Sequence, residues 1–335
     1  MNKRRIFLLV ICGALILSTV GLTIVDSIKN KDNKTVEAEN DEQRKLKVVC
    51  TIFPEYDWAR NIIGNNDKVE LSLIVKNGVD LHSFQPSTAD VVEITSADVF
   101  IYVGGVSDNW VTDVLANAKN PKMKVVNLMD VIGDRAVMTE HHEGEEEGRH
   151  SHIMAPDEHI WLSLENAKLC VRAIAKALDE ASPSQAFGFN KNCSSYLYQL
   201  NDLDDKFKTT IENSPKKTLI FCDRFPFTYL VQDYGLNYYA AFTGCSAETE
   251  ASFETIAFLS DKLKETGLKA VFTIDNGDTK IADTVISSSK VKDCQILTLD
   301  SMQSTTLDQA KKGKTYIGTM ENNLKVLKKG LGLVS

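Results

Sequence analysis

The sequence predicts an α/β fold of two lobes, each built on a parallel sheet, with a long helix between them. Three observations carry this. At 335 residues the chain is too long for one small core and fits two domains of ordinary size. Short apolar runs alternate with helical stretches, the pattern of strands covered on both faces. The alternation occurs twice, on either side of a helical region whose apolar residues recur every three or four positions.

Along the chain, Lys3, Arg4 and Arg5 precede an uncharged run from Ile6 to Val25. Twenty helical residues span about 30 Å, enough to cross a bilayer core. The basic flank stays in the cytoplasm, so the rest is expected outside. Residues 1–25 therefore read as an uncleaved membrane anchor or a signal segment. Cys12 follows Ile11 inside the apolar run and makes a poor lipoprotein site. Residues 26–45 carry eleven charges and only three apolar side chains, Ile28, Val36 and Ala38. Such a stretch cannot offset its ordering entropy and reads as a flexible tether.

The first lobe, residues 46–183, is expected to hold strands over Lys47–Phe53, Val69–Val75, Val99–Val103 and Val125–Leu128. Helices are expected near Pro54–Ile63, Ser87–Ser96 and Asp108–Ala118, with another over Trp161–Leu178 that ends before Ser182-Pro183. Residues 184–213 are read as a linker helix joining the lobes, with a helix packed on one lobe as the plain alternative. Its apolar face is Cys193, Tyr196, Leu197, Leu200, Leu203, Phe207 and Ile211. The second lobe, residues 214–335, repeats the pattern. Its strands are Thr218–Cys222, Asn237–Ala240, Lys269–Ile274 and Gln295–Leu299. Its helices lie near Pro226–Tyr234, Ser252–Thr266, Thr279–Ser287 and Thr319–Lys329, and Gly267 stands where a C-cap is wanted.

Composition narrows the function. Hydrophobic residues make up 43% and charged residues 25%, ordinary for a folded body and wrong for wholesale disorder or a polytopic membrane protein. A net charge of −8 argues against nucleic-acid binding, which needs a basic face. There is no Walker A, GxSxG or HExxH motif, and Gly104-Gly105 is too little for a phosphate loop. Six cysteines lie beyond the tether with wide, irregular spacing and no CxxC pair, so a thiolate zinc cluster is not indicated.

The six histidines, His82, His141, His142, His150, His152 and His159, bunch within one part of the chain. His82 sits in VDLHSFQP and His159 in DEHIW, both in loops before helices of the first lobe. Taken alone, each reads most simply as a structural loop residue. Together, two neutral imidazoles suit zinc and, to a lesser degree, manganese. The second lobe offers Cys222-Asp223 after one strand and Asp275-Asn276-Gly277-Asp278 after another. Asp at a strand end is commonly a turn or cap residue. Finding carboxylates at two strand ends favours a site across a cleft, since open α/β sheets bind ligands beyond the carboxyl ends of strands. Residues 140–152, EHHEGEEEGRHSH, hold four histidines and five glutamates. They read as a mobile loop that collects zinc weakly through His141, His142, His150 and His152; the plain alternative is an acidic solvated insertion.

At these motifs the chain resembles the metal-binding solute-binding proteins of ABC transporters, the cluster that captures zinc or manganese. VDLHSFQPS resembles the family's usual VDPHSFEPS, and DEHIWLSLENA its usual DPHxWLDPxNA. DVFIYVGGVSDNW and YIGTMENNLKVLKKGL resemble its intervening strand and its C-terminal helix. The resemblance runs from about Lys47 to Leu331. It implies two Rossmann-like lobes joined by a rigid helix, with the metal between them and His82 and His159 as ligands. The second lobe departs from the pattern. Where zinc members have a third histidine the chain reads FCDRFPF, so Asp223 is taken as the replacement, with Cys222 as rival. Asp275 is taken as the fourth ligand, with Asp278 as rival. The long His/acid segment resembles that of zinc members, and zinc is expected over manganese.

The expectation is an extracytoplasmic, membrane-tethered or secreted zinc receptor, monomeric, that delivers its ion to an ABC permease and performs no catalysis. Two rival classes stay open. One is a metal-dependent hydrolase, with Glu158 or Glu248 as base. The other is an adhesin that holds metal structurally.

Overall fold

The computed structural model describes residues 44–79, 81–142, 152–242 and 251–333. The expected membrane segment, almost all of the tether, and Asp80, His150, Cys245 and Glu248 lie outside the described residues. The chain divides into Met1–Lys45 and Leu46–Ser335, and every described strand and helix belongs to the second unit.

The first half of that unit holds strands β1 (Leu46–Cys50), β2 (Val69–Leu73), β3 (Val99–Tyr102) and β4 (Lys124–Asn127) in one parallel sheet of order β2-β1-β3-β4. Helices α1 (Phe53–Ile63), α2 (Thr88–Thr95), α3 (Trp110–Leu115) and α4 (Leu128–Ile132) connect them or follow. An antiparallel hairpin, β5 (Met138–His142) and β6 (His152–Pro156), then leads into α5 (Leu164–Ala181) and the 27-residue α6 (Ala186–Glu212). The second half holds β7 (Thr218–Phe221), α7 (Thr228–Tyr234), β8 (Asn237–Ala240), α8 (Phe253–Thr266), β9 (Ala270–Ile274), α9 (Lys280–Ser289), β10 (Gln295–Leu299), α10 (Leu307–Lys311) and α11 (Tyr316–Gly330). Its sheet is parallel in the order β10-β9-β7-β8.

Both sheets reverse direction of growth once, between β1 and β3 and between β7 and β9. A crevice opens beyond the strand ends at such a switch point. Strand alternation sends successive side chains to opposite faces. Val48, Cys50, Val99, Ile101, Leu219 and Phe221 join one large shared core. Val49 and Phe100 pack outward with Ile94 and Val111, and Ile220 and Cys222 pack outward with Leu259, Leu263 and Val285.

Helix α6, about 40 Å long at 1.5 Å per residue, touches α1 and α5 of the first half and α7 and α11 of the second. Its buried stripe contains all seven residues picked out by their spacing. The halves also meet directly. The Tyr316 amide donates to Asp57 Oδ2 at 2.8 Å, and Arg60 Nη1 donates to the Ala310 carbonyl at 3.0 Å. Trp58 and Tyr316 pack edge to face with centroids 5.1 Å apart.

All eight expected parallel strands are present, and the local signals hold at several ends. Ser87 caps α2 within a capping box, and Gly267 closes α8 in the left-handed region. Three expectations are corrected. The helix expected over Asp108–Ala118 is a 3-10 turn over Val106–Asp108 followed by the shorter α3. The helix expected from Trp161 begins at Leu164, because Ser163 accepts the Asn166 amide and sets the cap there. The loop read over residues 140–152 is strand at both ends. Glu140, His141 and His142 lie on β5, and His152 opens β6. Pairing of Met138 with Pro156 and Thr139 with Ala155 extends the ladder into the polar residues. Among the described residues no helix is long and apolar enough to cross a membrane.

Candidate metal centre

His82 lies on a 3-10 turn, Leu81–Ser83, after β2. Buried Leu81 anchors the turn in the core and the Ser87 cap fixes the helix beyond it. His159 precedes the 3-10 turn Ile160–Leu162, whose three side chains are all buried. The two rings come together with centroids 5.5 Å apart, so the fold unites the histidines that the sequence places 77 positions apart.

Each ring is oriented through Nδ1. Asp157 Oδ1 stands 2.7 Å from His159 Nδ1 and also accepts the His159 amide at 2.9 Å. A carboxylate accepts, so Nδ1 carries the proton and Nε2 the lone pair. His82 Nδ1 lies 2.7 Å from Ser107 Oγ, whose hydroxyl donates to Glu158 Oε2 at 2.5 Å. The Ser107 amide donates to Glu158 Oε1 at 2.6 Å. With its own proton committed to Glu158, the Ser107 oxygen accepts from His82 Nδ1. Both rings thus carry the proton on Nδ1 and turn Nε2 away from the supporting carboxylate, an arrangement that fixes the tautomer and would strengthen metal ligation. Gly105, at φ 87°, makes room for this. A Cβ there would stand 2.5 Å from Glu158 Oε1.

Asp157 is buried, which by itself would raise its carboxyl. The facing His159 ring and its hydrogen bonds outweigh burial and hold it below the ordinary value. Behind Glu158, Asp108 is pushed up to about 7, first by burial and then by the Glu158 charge, against the Gly104 amide that donates to it.

The second lobe reaches the same place. Gln303, in the loop after β10, sets Nε2 2.5 Å from His159 Nε2. Gln303 Oε1 lies 3.4 Å from Ser301 Oγ, and Ser301 donates both its amide (2.6 Å) and its hydroxyl (2.7 Å) to Asp275 Oδ1. Ser304 Oγ donates to Asp275 Oδ2 at 2.8 Å. Asp275 is therefore two side chains removed from His159. The His159 loop is stapled across the lobes: Trp161 Nε1 donates to the Ser301 carbonyl, Tyr316 Oη to the Trp161 carbonyl, and Tyr229 Oη to the Asp157 carbonyl.

The other candidates stand differently. Asp223 Oδ1 accepts the Arg224 amide at 2.8 Å and Oδ2 the Ile274 amide at 3.2 Å, bridging the ends of β7 and β9 over Gly277. Burial raises its carboxyl and these amides oppose that. Cys222 faces the outer helix layer, with its thiol pushed up to about 12 by burial and by the neighbouring Cys294 and Asp223. Asp278 is exposed and pairs with Lys280 at 3.0 Å. His142 and His152 are register partners on the hairpin. Cys50, Cys170, Cys193, Cys222 and Cys294 are free thiols. Among the described residues no three His, Cys, Asp or Glu side chains converge at metal-ligand spacing. The two first-lobe histidines thus lie together, and Gln303 of the second lobe reaches His159.

Ser107, Asp157, Ser301 and Gln303 were not singled out from the sequence. Asp157 and Glu158 flank His159 in DEHIW and Ser107 sits in GGVSDNW, so those motifs held a signal. Gln303 carried none.

Residues 48–330 match the family described as ZnuA, zinc-uptake complex component A, periplasmic. The chain belongs to this family. It is similar to the zinc-binding protein AdcA of Streptococcus pyogenes serotype M18, 31% identical over 296 residues, covering 85% of this chain and 56% of that one. The chain thus spans a little over half the length of that relative. It is also similar to the high-affinity zinc uptake system protein ZnuA of Bacillus subtilis, 29% identical over 287 residues, covering 86% and 88%. The Zn(II)-bound ZnuA-like domain of Streptococcus pneumoniae AdcA superposes with a TM-score of 0.67 at 27% identity, covering 86% of this chain and 99% of that domain. Like that domain, the chain has the two-lobed α/β fold of this family, with two four-stranded parallel sheets and a long helix.

Proposed function

We propose that this chain is an extracytoplasmic zinc receptor that hands its ion to an ABC-type importer and performs no chemistry on it. The observation that carries the proposal is the His82–His159 pair, each ring backed at Nδ1 by a buried carboxylate, directly or through Ser107. Imidazole nitrogens oriented this way suit zinc. The zinc-binding relatives and the family's place in zinc uptake support the same cargo and partner.

In this reading His82 and His159 hold the ion from the first lobe, residues 46–183. Asp275 and Asp223 supply charge from the second, residues 214–335, and helix 184–213 joins the two. Asp275 is the stronger candidate, because Ser301 and Gln303 link it toward His159, whereas Asp223 is engaged by the Arg224 and Ile274 amides. Residues 1–45 tether the body to the outer face of the membrane, and the His/Glu segment collects zinc weakly.

Calorimetric titration of the metal-stripped protein with zinc and manganese, in the presence of competing chelators, tests this. One tight zinc site with manganese much weaker is expected. His159→Ala should remove that site while leaving the fold intact by circular dichroism. Stoichiometric tight binding retained in the variant would overturn the assignment.

A further inference from the structure

The loop after β10 is built to hold one side chain against His159. Met302 takes a left-handed backbone conformation, φ 64°, which is uncommon for a residue with a Cβ and marks a segment held by its surroundings. Asp300 accepts the Met302 amide at 2.8 Å, and Asn323 Oδ1 and Lys314 Nζ hold the Asp300 amide and carboxylate in turn. The Ser301 carbonyl is fixed by Trp161. The outcome is a buried Gln303 whose carboxamide nitrogen stands 2.5 Å from His159 Nε2.

With the His159 proton on Nδ1, Nε2 accepts, and the Gln303 amide donates to it. A zinc ion on that nitrogen would sit at about 2.0–2.1 Å along the same lone pair. The amide nitrogen and the ion claim the same volume, so this Gln303 position and a metal on His159 exclude each other. The amide oxygen, at 3.4 Å, meets a Ser301 hydroxyl already committed to Asp275.

We infer that Gln303 is a displaceable plug of the metal centre, taking the ion's position on His159 whenever no ion is there. This rests on the reading of His159 as a ligand. Entry of the ion breaks the amide–imidazole hydrogen bond, and return of the amide assists release. Gln303 therefore lowers affinity and hastens dissociation, the opposite of a ligand's effect.

The test compares the metal-stripped wild-type chain with Gln303→Ala, Gln303→Ser and His159→Ala. Zinc affinity is measured by competition with a chromophoric chelator, and release by mixing with excess chelator. Both Gln303 variants should bind zinc roughly threefold to tenfold tighter, the value of one net hydrogen bond, with slower release. The serine variant keeps the loop polar, and thermal melts identify a variant that fails to fold, in which case the other decides. Equal affinity would overturn the plug. Weaker binding would also overturn it and make Gln303 a ligand. If wild-type protein binds no zinc tightly, or if His159→Ala binds as wild type does, the receptor or ligand reading falls and the plug with it.

Discussion

Asp108 shows how charge is distributed behind the histidines. Its Oδ2 accepts the Gly104 amide at 2.9 Å, yet burial and the neighbouring Glu158 raise its carboxyl to about 7. In the unfolded chain an aspartate titrates near 3.9. Between about pH 4 and pH 7 the folded protein keeps a proton that the unfolded chain gives up, so stability is lost as pH rises through that window. Asp108→Asn cannot titrate there. Its melting temperature should fall less than that of wild type between pH 5 and pH 8, a difference on the order of 2–3 kcal/mol in urea unfolding of metal-stripped protein. Parallel pH profiles would mean that Asp108 is ionised throughout. At this scale the motifs around the histidines were legible, because the supporting acids Asp157 and Glu158 are sequence neighbours of His159. Gln303 was not legible, because its partner is 144 positions away and a glutamine after a strand carries no signature.

Helix α6 is the element on which helices of both halves lean. Phe207 is fully buried on it and stacks on Tyr234 of α7 at 5.2 Å, while Tyr234 Oη donates to Asp204, about one helical turn before Phe207. Lys168 and Lys208 complete the Asp204 cluster at 3.0 and 2.7 Å. Truncating a buried phenylalanine costs about 3–5 kcal/mol. Phe207→Ala should lose that much and still unfold in one calorimetric transition, because the large core runs from Val48 and Ile101 through this helix to Phe221 and Phe272. Two separated transitions would show that the lobes fold independently. The helix was legible from its three-and-four spacing and the strands from their apolar runs. The β5–β6 hairpin was not. Its strands carry three histidines, one glutamate and a proline with little β propensity, and what makes them strands is the cross-strand ladder from Met138 to His142.

In the whole molecule, the direct contact between lobes matters as much as the helix. Asp57 is buried on α1, accepts the first amide of α11, and pairs with Arg60, which itself reaches the Ala310 and Lys314 carbonyls. Asp57→Ala would leave that buried amide without this acceptor and Arg60 without this counter-charge. A loss of about 3 kcal/mol is expected in chemical denaturation. A loss below about 1 kcal/mol would mean that water replaces the carboxylate and that the lobes are joined mainly through α6. Tyr316 ties the same junction to the site, since its hydroxyl donates to the carbonyl of Trp161, two residues from His159.

The chain by itself determined the α/β class, the two strand series, the amphipathic helix between them and the two histidine motifs. Each is written in near-neighbour pattern: apolar runs, three-and-four spacing, caps such as Ser87 and Gly267. Only the tertiary structure decided which second-lobe groups reach those histidines. Strand alternation turned Cys222 outward into the helix layer, the amides of Arg224 and of Ile274 on β9 engaged Asp223, and a strained loop carried Gln303 across the lobes to His159. Those outcomes depend on contacts between residues far apart in sequence. Local pattern sets what a segment becomes, and packing of the segments sets what their side chains meet.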